Sequence, residues 1–204
     1  MEKSGGRSGR ITQAIGKLQE YERITGFWEI SRRSLVNNSF DGVLTMMGIV
    51  IGQYLAGVEA PGTIVVTGVA TATTLSISGW WSAYLAESAE RQRELAELER
   101  ISLNDLSKTK IARAARAATI VVSLANGLSP FIASLVVLVP YFLAGLIGSI
   151  VLSYVLSLAL ALLALFGLGV FLGHISGRSM IGYGVRTASA GIVAILITRL
   201  LPTT

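Results

Sequence analysis

The chain has 204 residues, of which 52% are apolar and 14% charged, with a positive mean hydropathy and a formal net charge of +5. This composition is atypical of a soluble domain and indicates an integral membrane protein. The absence of cysteine excludes disulfides, thiolate metal ligands and cysteine nucleophiles. No basic pattern interleaved with aromatic residues indicates nucleic-acid binding.

The first forty residues are polar and charged and lack the apolar core of a cleavable signal peptide. We therefore expect the first spanning helix to remain as a permanent anchor. Residues 1–34 are predicted to be a cytoplasmic tail followed by an amphipathic helix. Over residues 11–31 apolar side chains recur among charges and end in the pair Phe27 and Trp28. A helix lying along the membrane surface and a short cytoplasmic helix packed on the bundle fit this pattern equally.

Several uncharged runs approach or exceed the roughly 20 residues that a helix needs to cross the hydrocarbon core, whereas barrel strands would have about ten. The fold class is therefore an all-α, five-helix membrane bundle. The predicted spans, within a membrane domain of residues 35–201, are residues 41–58, 62–86, 116–139, 142–173 and 180–201. The fourth run is too long for one straight span, so part of it must tilt, lie at an interface or form a turn after Pro140.

The distribution of positive charge predicts the orientation. Seven Lys and Arg residues precede the first span and seven more lie between spans two and three. Arg178 and Arg186 lie between spans four and five, and Arg199 falls on the other side. The positive-inside rule then places the N-terminus in the cytoplasm and the C-terminus outside. The positive charge also suits contact with lipid headgroups.

One carboxylate, Asp41, stands in the apolar stretch SFDGVLTMMGIVIG, residues 39–52. A charge inside a span is costly and marks an ion or proton path unless it lies near the headgroups. At the predicted start of span one it would also meet the positive end of the helix dipole, so a structural role as a cap fits as well. Helical spacing places Asp41 and Thr45 on one stripe with Gly48 and Gly52, whereas the neighbouring methionines point away and are predicted to pack.

Other polar residues in the spans are interpreted mainly as packing residues. The stripe Thr67, Thr71, Thr74 and Ser78 of span two could face a hydrated groove, but such hydroxyls also bond the carbonyl of the preceding turn. Pro130 predicts a kink in span three whose freed backbone groups find partners on neighbouring helices.

Span two is predicted to continue into the cytoplasm as the helix AESAERQRELAELER, residues 86–100, within a charged helical segment over residues 87–115. Four glutamates on one side of it, three or four positions apart, could ligate a divalent cation such as Mg²⁺, Mn²⁺ or Fe²⁺ through hard oxygen atoms. A solvated helix laced with ion pairs to neighbouring arginines is the alternative. The four glutamates are Glu87, Glu90, Glu94 and Glu97.

The segment RRSLVNNSFDGVLTMMGIVIG, residues 32–52, resembles the first-helix motif of the vacuolar iron transporter family. Five spans, an acidic helix after the second span and the stretch GHISGRSMIGYGVR (173–186) before the last extend the similarity over most of residues 32–201. The resemblance implies a homodimeric, proton-coupled exporter of Fe²⁺ or Mn²⁺ from the cytosol, from a compact prokaryote-like branch in the cell membrane. The metal is then a substrate, with no permanently bound cofactor and no enzymatic activity.

By this resemblance Asp41 belongs to the ion path, with Thr45 as a second hard ligand. The four glutamates would form the cytoplasmic collecting site. Partners are then divalent cations, protons, the lipid bilayer and a second copy of the chain, and nucleic acid is not among them.

The second helix departs from the family pattern. Family members carry a Met and a Gly-Glu-Tyr-Leu-like end there, whereas this chain reads SISGWWSAYLAES with Trp81 or Ala83 in place of the Glu. A non-transporting membrane scaffold or partner-binding protein is therefore the alternative function. The small-residue spacings Gly169–Gly173–Gly177 and Ser149–Ser153–Ser157 suit close helix association in such a protein, in a dimer or within one bundle. A membrane enzyme is disfavoured because the single histidine, His174, has no acidic partner at useful spacing.

Overall fold

The computed structural model describes residues 5–200, and within this range the side chains of residues 5–12, 14 and 199 are left undescribed. The described chain contains helices and no strands. The helices are α1 (Gly5–Thr25), α2 (Phe27–Leu55), α3 (Pro61–Ser102), α4 (Lys110–Phe142), α5 (Ala144–Ile147), α6 (Ile150–Ile175) and α7 (Met180–Arg199). The predicted all-α class is confirmed.

Five segments of the described chain are long and apolar enough to cross a membrane. They are α2, α3, α4 continued through α5, α6 and α7 up to Thr198. Number and order agree with the five predicted spans. The predicted continuation of span two as a charged helix is also confirmed, because α3 runs without interruption from Pro61 to Ser102.

The start of the first span differs from the prediction. The predicted amphipathic helix over residues 11–31 is divided at Gly26, which has a φ of +59° and separates α1 from α2. The Glu22 carboxylate then accepts a hydrogen bond from Trp28 N at 2.9 Å and satisfies a free amide of the first turn of α2. Phe27 and Trp28 therefore belong to the first spanning helix. Gly5–Arg10, predicted as part of the tail, lies in α1, and residues 1–4 lie outside the described range.

The overlong fourth run resolves as a turn after Pro140. The short helix α5 ends at Gly148, whose φ of +70° breaks the chain, and Ser149 caps α6 by accepting a hydrogen bond from Leu152 N. At its other end α6 closes in a Schellman motif, in which Gly177, at φ +62°, donates to His174 O while Arg178 N donates to Gly173 O. These two ends leave α6 as a 26-residue span.

Two compact units divide the chain. The first consists of the described residues up to Ser34 together with Trp80–Asn126, and the second of Leu35–Gly79 together with the described residues from Gly127.

In the first unit, Phe27 is buried against Ala118 and Val122 of α4, and Tyr21 of α1 packs on the same cluster. Lys110 Nζ at the start of α4 donates to Glu20 Oε1 at 2.7 Å. This contact holds the pKa of Glu20 below its ordinary range, chiefly through the hydrogen bond from Lys110 and then its positive charge. The end of α1 therefore packs on the bundle, as one of the two predicted alternatives proposed.

In the second unit, Met46 and Met47 are completely buried in a core with residues of α3, α4 and α6, so their predicted packing role is confirmed. Hydroxyls stand beside both prolines of α4: Ser39 Oγ donates to Ser129 O at 3.4 Å, and Ser157 Oγ donates to Val137 O at 2.7 Å. Neighbouring helices thus supply donors to α4 carbonyls near its prolines. The carbonyls that the prolines free are those four positions earlier, Asn126 and Val136, so the partners predicted for Pro130 stay a prediction.

Glycines form the seam between α6 and α7 in the second unit. A β-carbon on Gly173 would stand 2.7 Å from the Met180 α-carbon, and one on Gly169 would stand 2.7 Å from the Gly184 α-carbon. Ser153 and Ser157 are fully buried as well. Among the predicted uses of these small residues, packing within one bundle is observed at Gly169 and Gly173, while Gly177 forms the turn.

Candidate functional site

Asp41 is the fifteenth of the 29 residues of α2, which begins at Phe27. The prediction that Asp41 lies at the N-terminus of a helix is wrong, because α2 begins at Phe27 and continues through the charged residues that precede Asp41. Its predicted position at the cytoplasmic start of the membrane span stays a prediction. The dipole of a helix acts within its first and last turns, so the N-terminus of α2 does not stabilise this carboxylate. Its proposed role as a helix cap is thereby removed.

The Asp41 side chain lines a cavity of about 450 Å³ in the second unit. Asn37, one turn earlier on α2, and Thr187 of α7 are the other polar residues of its wall. Phe40 and Leu168 belong to the apolar part of the wall. Three side chains with oxygen atoms that can accept hydrogen bonds or bind a cation thus line an open, otherwise apolar cavity, where Asp41 and Asn37 are exposed.

No hydrogen bond or salt bridge among the described residues reaches the Asp41 carboxylate. The Thr187 hydroxyl is oriented differently, since its proton is directed to Tyr183 O at 2.9 Å and Gly184 O at 3.0 Å. A hydroxyl whose proton is directed to the backbone keeps lone pairs for a further contact. The wall of the cavity therefore carries one carboxylate and no basic side chain.

Close backbone contacts hold the elements of this site in place. On the far side of α2, Gly42 lies against Pro130 of α4, and Ser134 Oγ donates to Gly42 O at 3.2 Å. Gly169 of α6 lies against Thr187 and the backbone of Tyr183. The contacts of Gly42 thus hold the backbone next to Asp41 in place. The close approach of Gly169 holds Thr187 in place.

Thr45, predicted as the second ligand, is half-buried one turn beyond Asp41 and is not among the residues lining this cavity. The predicted stripe continues to Gly48 and Gly52, where an added β-carbon would meet no atom within 4 Å. That part of α2 is therefore open along its small residues, and no described residue closes it.

The hydroxyl stripe of α3 bonds its own helix. Thr71 donates to Thr67 O at 2.9 Å and Thr74 to Ala70 O at 3.0 Å, while Thr67 bonds the carbonyls of Thr63 and Ile64. Gln53 of α2 additionally donates to the Thr67 hydroxyl. The predicted bonding to the preceding turn is observed at these threonines.

The predicted glutamate cluster surrounds an arginine. Arg91 lies 3.7 Å from Glu87 and 2.9 Å from Glu94, whereas Glu90 and Glu97 are exposed. Within residues 5–200, no group of three or more His, Cys, Asp or Glu side chains is close enough to hold a metal ion. The alternative prediction was a solvated helix with ion pairs between its glutamates and arginines. Such pairs are observed at Arg91. Metal ligation by the four glutamates stays a prediction.

Sequence reasoning missed Asn37 and Thr187. Asn37 carried a usable signal, because it precedes Asp41 by four positions and thus shares its helix face once α2 is extended to Phe27. The sequence around Thr187 gives no such signal, because Thr187 lines the cavity only through the packing of α7 against other helices.

Comparison with known proteins gives one informative relationship. The uncharacterized protein MJ0645 of Methanocaldococcus jannaschii is 30% identical to this chain over 172 residues, which cover 83% of the chain and 86% of the relative. The chain belongs to the family of this archaeal protein. No family model matches the chain, and no solved structure matches it either. Because the relative has no described function, the resemblance to vacuolar iron transporters stays a prediction.

Proposed function

We propose that the protein is a membrane transporter of divalent cations, Fe²⁺ or Mn²⁺, that exports them from the cytosol in exchange for protons. The observation that carries this proposal is Asp41, an exposed carboxylate midway along a spanning helix, which lines a cavity and has no hydrogen-bond donor among the described residues. The resemblance of residues 32–52 to the first-helix motif of iron transporters supports the same assignment.

The energetics of Asp41 favour a bound cation or proton. On insertion scales a charged side chain costs up to about 2.5–3.5 kcal/mol at the centre of a span, and less as it approaches the headgroups. A salt bridge or several hydrogen bonds would offset this cost, and the described residues supply neither. A cation and a proton each neutralise the carboxylate, so they compete for it, and their competition is the basis of exchange.

The ligand set is suited to a hard divalent cation. Asp41 provides one carboxylate, and Asn37 and Thr187 provide neutral oxygens on the same cavity. Mg²⁺-like and Mn²⁺-like ions bind carboxylate, carbonyl and water oxygens and retain several waters when a protein supplies few ligands. One carboxylate leaves a divalent ion with a net positive charge, which permits its release when a proton takes its place.

We further propose that the protein works as a homodimer with its N-terminus in the cytoplasm of a prokaryotic cell. Additional ligands then come from the second copy, through Thr45 and the open stripe of α2. Glu87, Glu90, Glu94 and Glu97 gather cations at the cytoplasmic entrance. The positive-inside distribution of Lys and Arg supports this orientation.

The experiment that tests this function is uptake of Mn²⁺ and Fe²⁺ into proteoliposomes under an imposed proton gradient. Asp41→Asn is expected to abolish gradient-driven flux, while Asp105→Asn, the same change in an exposed loop, leaves it intact. Glu90→Gln/Glu94→Gln is expected to raise KM for the metal, with Glu59→Gln as its control. Flux that persists unchanged in Asp41→Asn contradicts the proposal.

The scaffold alternative predicts no metal flux from folded, inserted native protein. The missing second-helix glutamate favours it. The Gly169 and Gly173 spacing no longer does, because α7 of the same chain occupies these positions.

A further inference from the structure

A second polar cavity, of about 490 Å³, lies within the first unit between the charged half of α3 and the beginning of α4. Its wall carries three basic residues, Arg91, Lys108 and Arg116, and no acidic residue. Ser88, Gln92 and Ser107 add hydroxyl and amide groups to the same wall. This combination of groups is opposite in charge to the Asp41 cavity. The proposed transport does not use Lys108 and Arg116, whereas Arg91 is paired with two of the glutamates that would collect cations.

The loop that borders this cavity is fixed by side-chain hydrogen bonds from both helices. Glu99 of α3 accepts from Leu106 N at 2.9 Å, and Arg116 of α4 donates to Ser107 O at 3.1 Å. Asp105 accepts from Ser107 N at 2.8 Å, and Ser107 lowers the pKa of this carboxyl, chiefly through a hydrogen bond from its hydroxyl and then through the backbone N–H. Ser107 and Lys108 are therefore held at the cavity by a structured loop.

The three basic residues differ in how their charge is balanced. Arg91 is only 11% exposed at its side chain and is paired with Glu87 and Glu94, although its Nε has no hydrogen bond within the described chain. Arg116 donates to two backbone carbonyls, and Lys108 has no hydrogen bond or ion pair among the described residues. Two positive charges at this cavity thus have no carboxylate partner.

We propose that this cavity binds a phosphate-bearing anion. Arginine and lysine side chains beside hydroxyl donors recognise phosphate. A guanidinium group donates two parallel hydrogen bonds to two phosphate oxygens. The volume exceeds that of a bare ion and accommodates a phosphorylated small molecule or a lipid headgroup. Arg116 also stands where the apolar run of α4 begins, and basic pockets beside spanning segments bind anionic headgroups.

The test uses full-length protein in neutral detergent, with binding followed by thermal stabilisation and native mass spectrometry. One arm adds phosphatidylglycerol or phosphatidylcholine in mixed micelles, and the other adds inorganic phosphate or glycerol 3-phosphate. The test variant is Lys108→Gln/Arg116→Gln. Its charge-matched control is Arg93→Gln/Arg100→Gln, which removes two exposed arginines of α3 that lie outside the cavity wall.

We expect the cavity variant to bind its ligand at least about tenfold more weakly, since each of the two lost side chains donates to a charged group, while the control binds like the native protein. Loss confined to phosphatidylglycerol identifies a lipid headgroup, and loss confined to the soluble probes identifies a free phosphate compound. Equal weakening in both double variants, or no binding by the native protein, overturns the proposal. Because Arg116 also holds the loop, Lys108→Gln alone must weaken binding in the same direction.

Discussion

Pro130 of α4 approaches Gly42 of α2 so closely that a β-carbon on Gly42 would stand 2.6 Å from the Pro130 carbonyl oxygen and 2.8 Å from its α-carbon. Ser134 fixes the same crossing through its hydrogen bond to Gly42 O. Only glycine permits this approach without movement of the backbone. The residue after Asp41 therefore sets where the carboxylate stands.

Gly42→Ala is expected to destabilise the protein by about 1–3 kcal/mol, because the added methyl group has to separate two backbones. Thermal unfolding in mild detergent measures this loss. Gly48→Ala is the matched control on the same helix, since its β-carbon meets no atom within 4 Å. Equal melting temperatures for the two variants would show that α2 and α4 do not cross at Gly42.

Gly169→Ala is expected to reduce metal transport and stability together, because its β-carbon would displace Thr187 and the Tyr183 carbonyl at the seam. Gly167→Ala lies two positions earlier on α6 in open space and should retain both properties. Transport and unfolding measured on the same preparations separate these effects. Normal transport in folded Gly169→Ala would argue against a role of the seam in the site.

Thr187→Val is expected to raise KM for Mn²⁺ by about tenfold without lowering the melting temperature appreciably, because it removes one oxygen ligand and keeps the shape. Thr198→Val is its control on α7, where the hydroxyl likewise bonds a carbonyl of the preceding turn but does not line the cavity. Asn37→Ala should resemble Thr187→Val. If both cavity variants behave like Thr198→Val, the cation contacts Asp41 without them.

The proposed orientation can be tested with single cysteines, since the native chain has none. On intact cells an impermeant thiol reagent should label Glu59→Cys, in the loop between α2 and α3. It should label Asn104→Cys, between α3 and α4, only after permeabilisation. Both positions are exposed, so burial does not prevent reaction. The reverse labelling pattern would invert the proposed topology.

The contact between Glu20 and Lys110 predicts a pH-dependent attachment of α1. Since the pKa of Glu20 is lowered in the folded state, its contribution is present above the ordinary carboxyl pKa and is lost as the pH falls through the folded value. Amide exchange at the end of α1 should therefore accelerate in acid. Lys110→Gln should remove this dependence, whereas Lys108→Gln should not. An acid response that survives Lys110→Gln would assign it to another group.

The sequence predicted the five spans because uncharged length is a direct requirement of the bilayer. It misplaced the start of α2 because Glu29, Arg32 and Arg33 lower the local hydropathy, although none of them ends a helix. The actual boundary is Gly26, a single residue at positive φ. A helix can continue through charged residues at which the apolar pattern stops. For this reason Asp41 was wrongly placed at a helix terminus, although it lies within α2.

Of the candidate site, only residues on a single helix were predicted from the sequence. Asp41 and its stripe follow from helical spacing, whereas Thr187 depends on how α7 packs against α6. The basic cavity likewise depends on a loop whose fold is set by Glu99 and Arg116, seventeen positions apart in the sequence. Contacts of this kind have no local pattern to read.

The glycine seam between α6 and α7 also bears on how the protein enters the bilayer during synthesis. The apolar window of α6 is the more hydrophobic of the two, so α6 partitions into lipid readily by itself. α7 contains Arg186 and is less apolar, and it gains a preformed groove at Gly169 and Gly173 when it follows α6 through a short turn. We therefore expect the two helices to insert as a hairpin, so that the glycines of α6 are needed already during biogenesis.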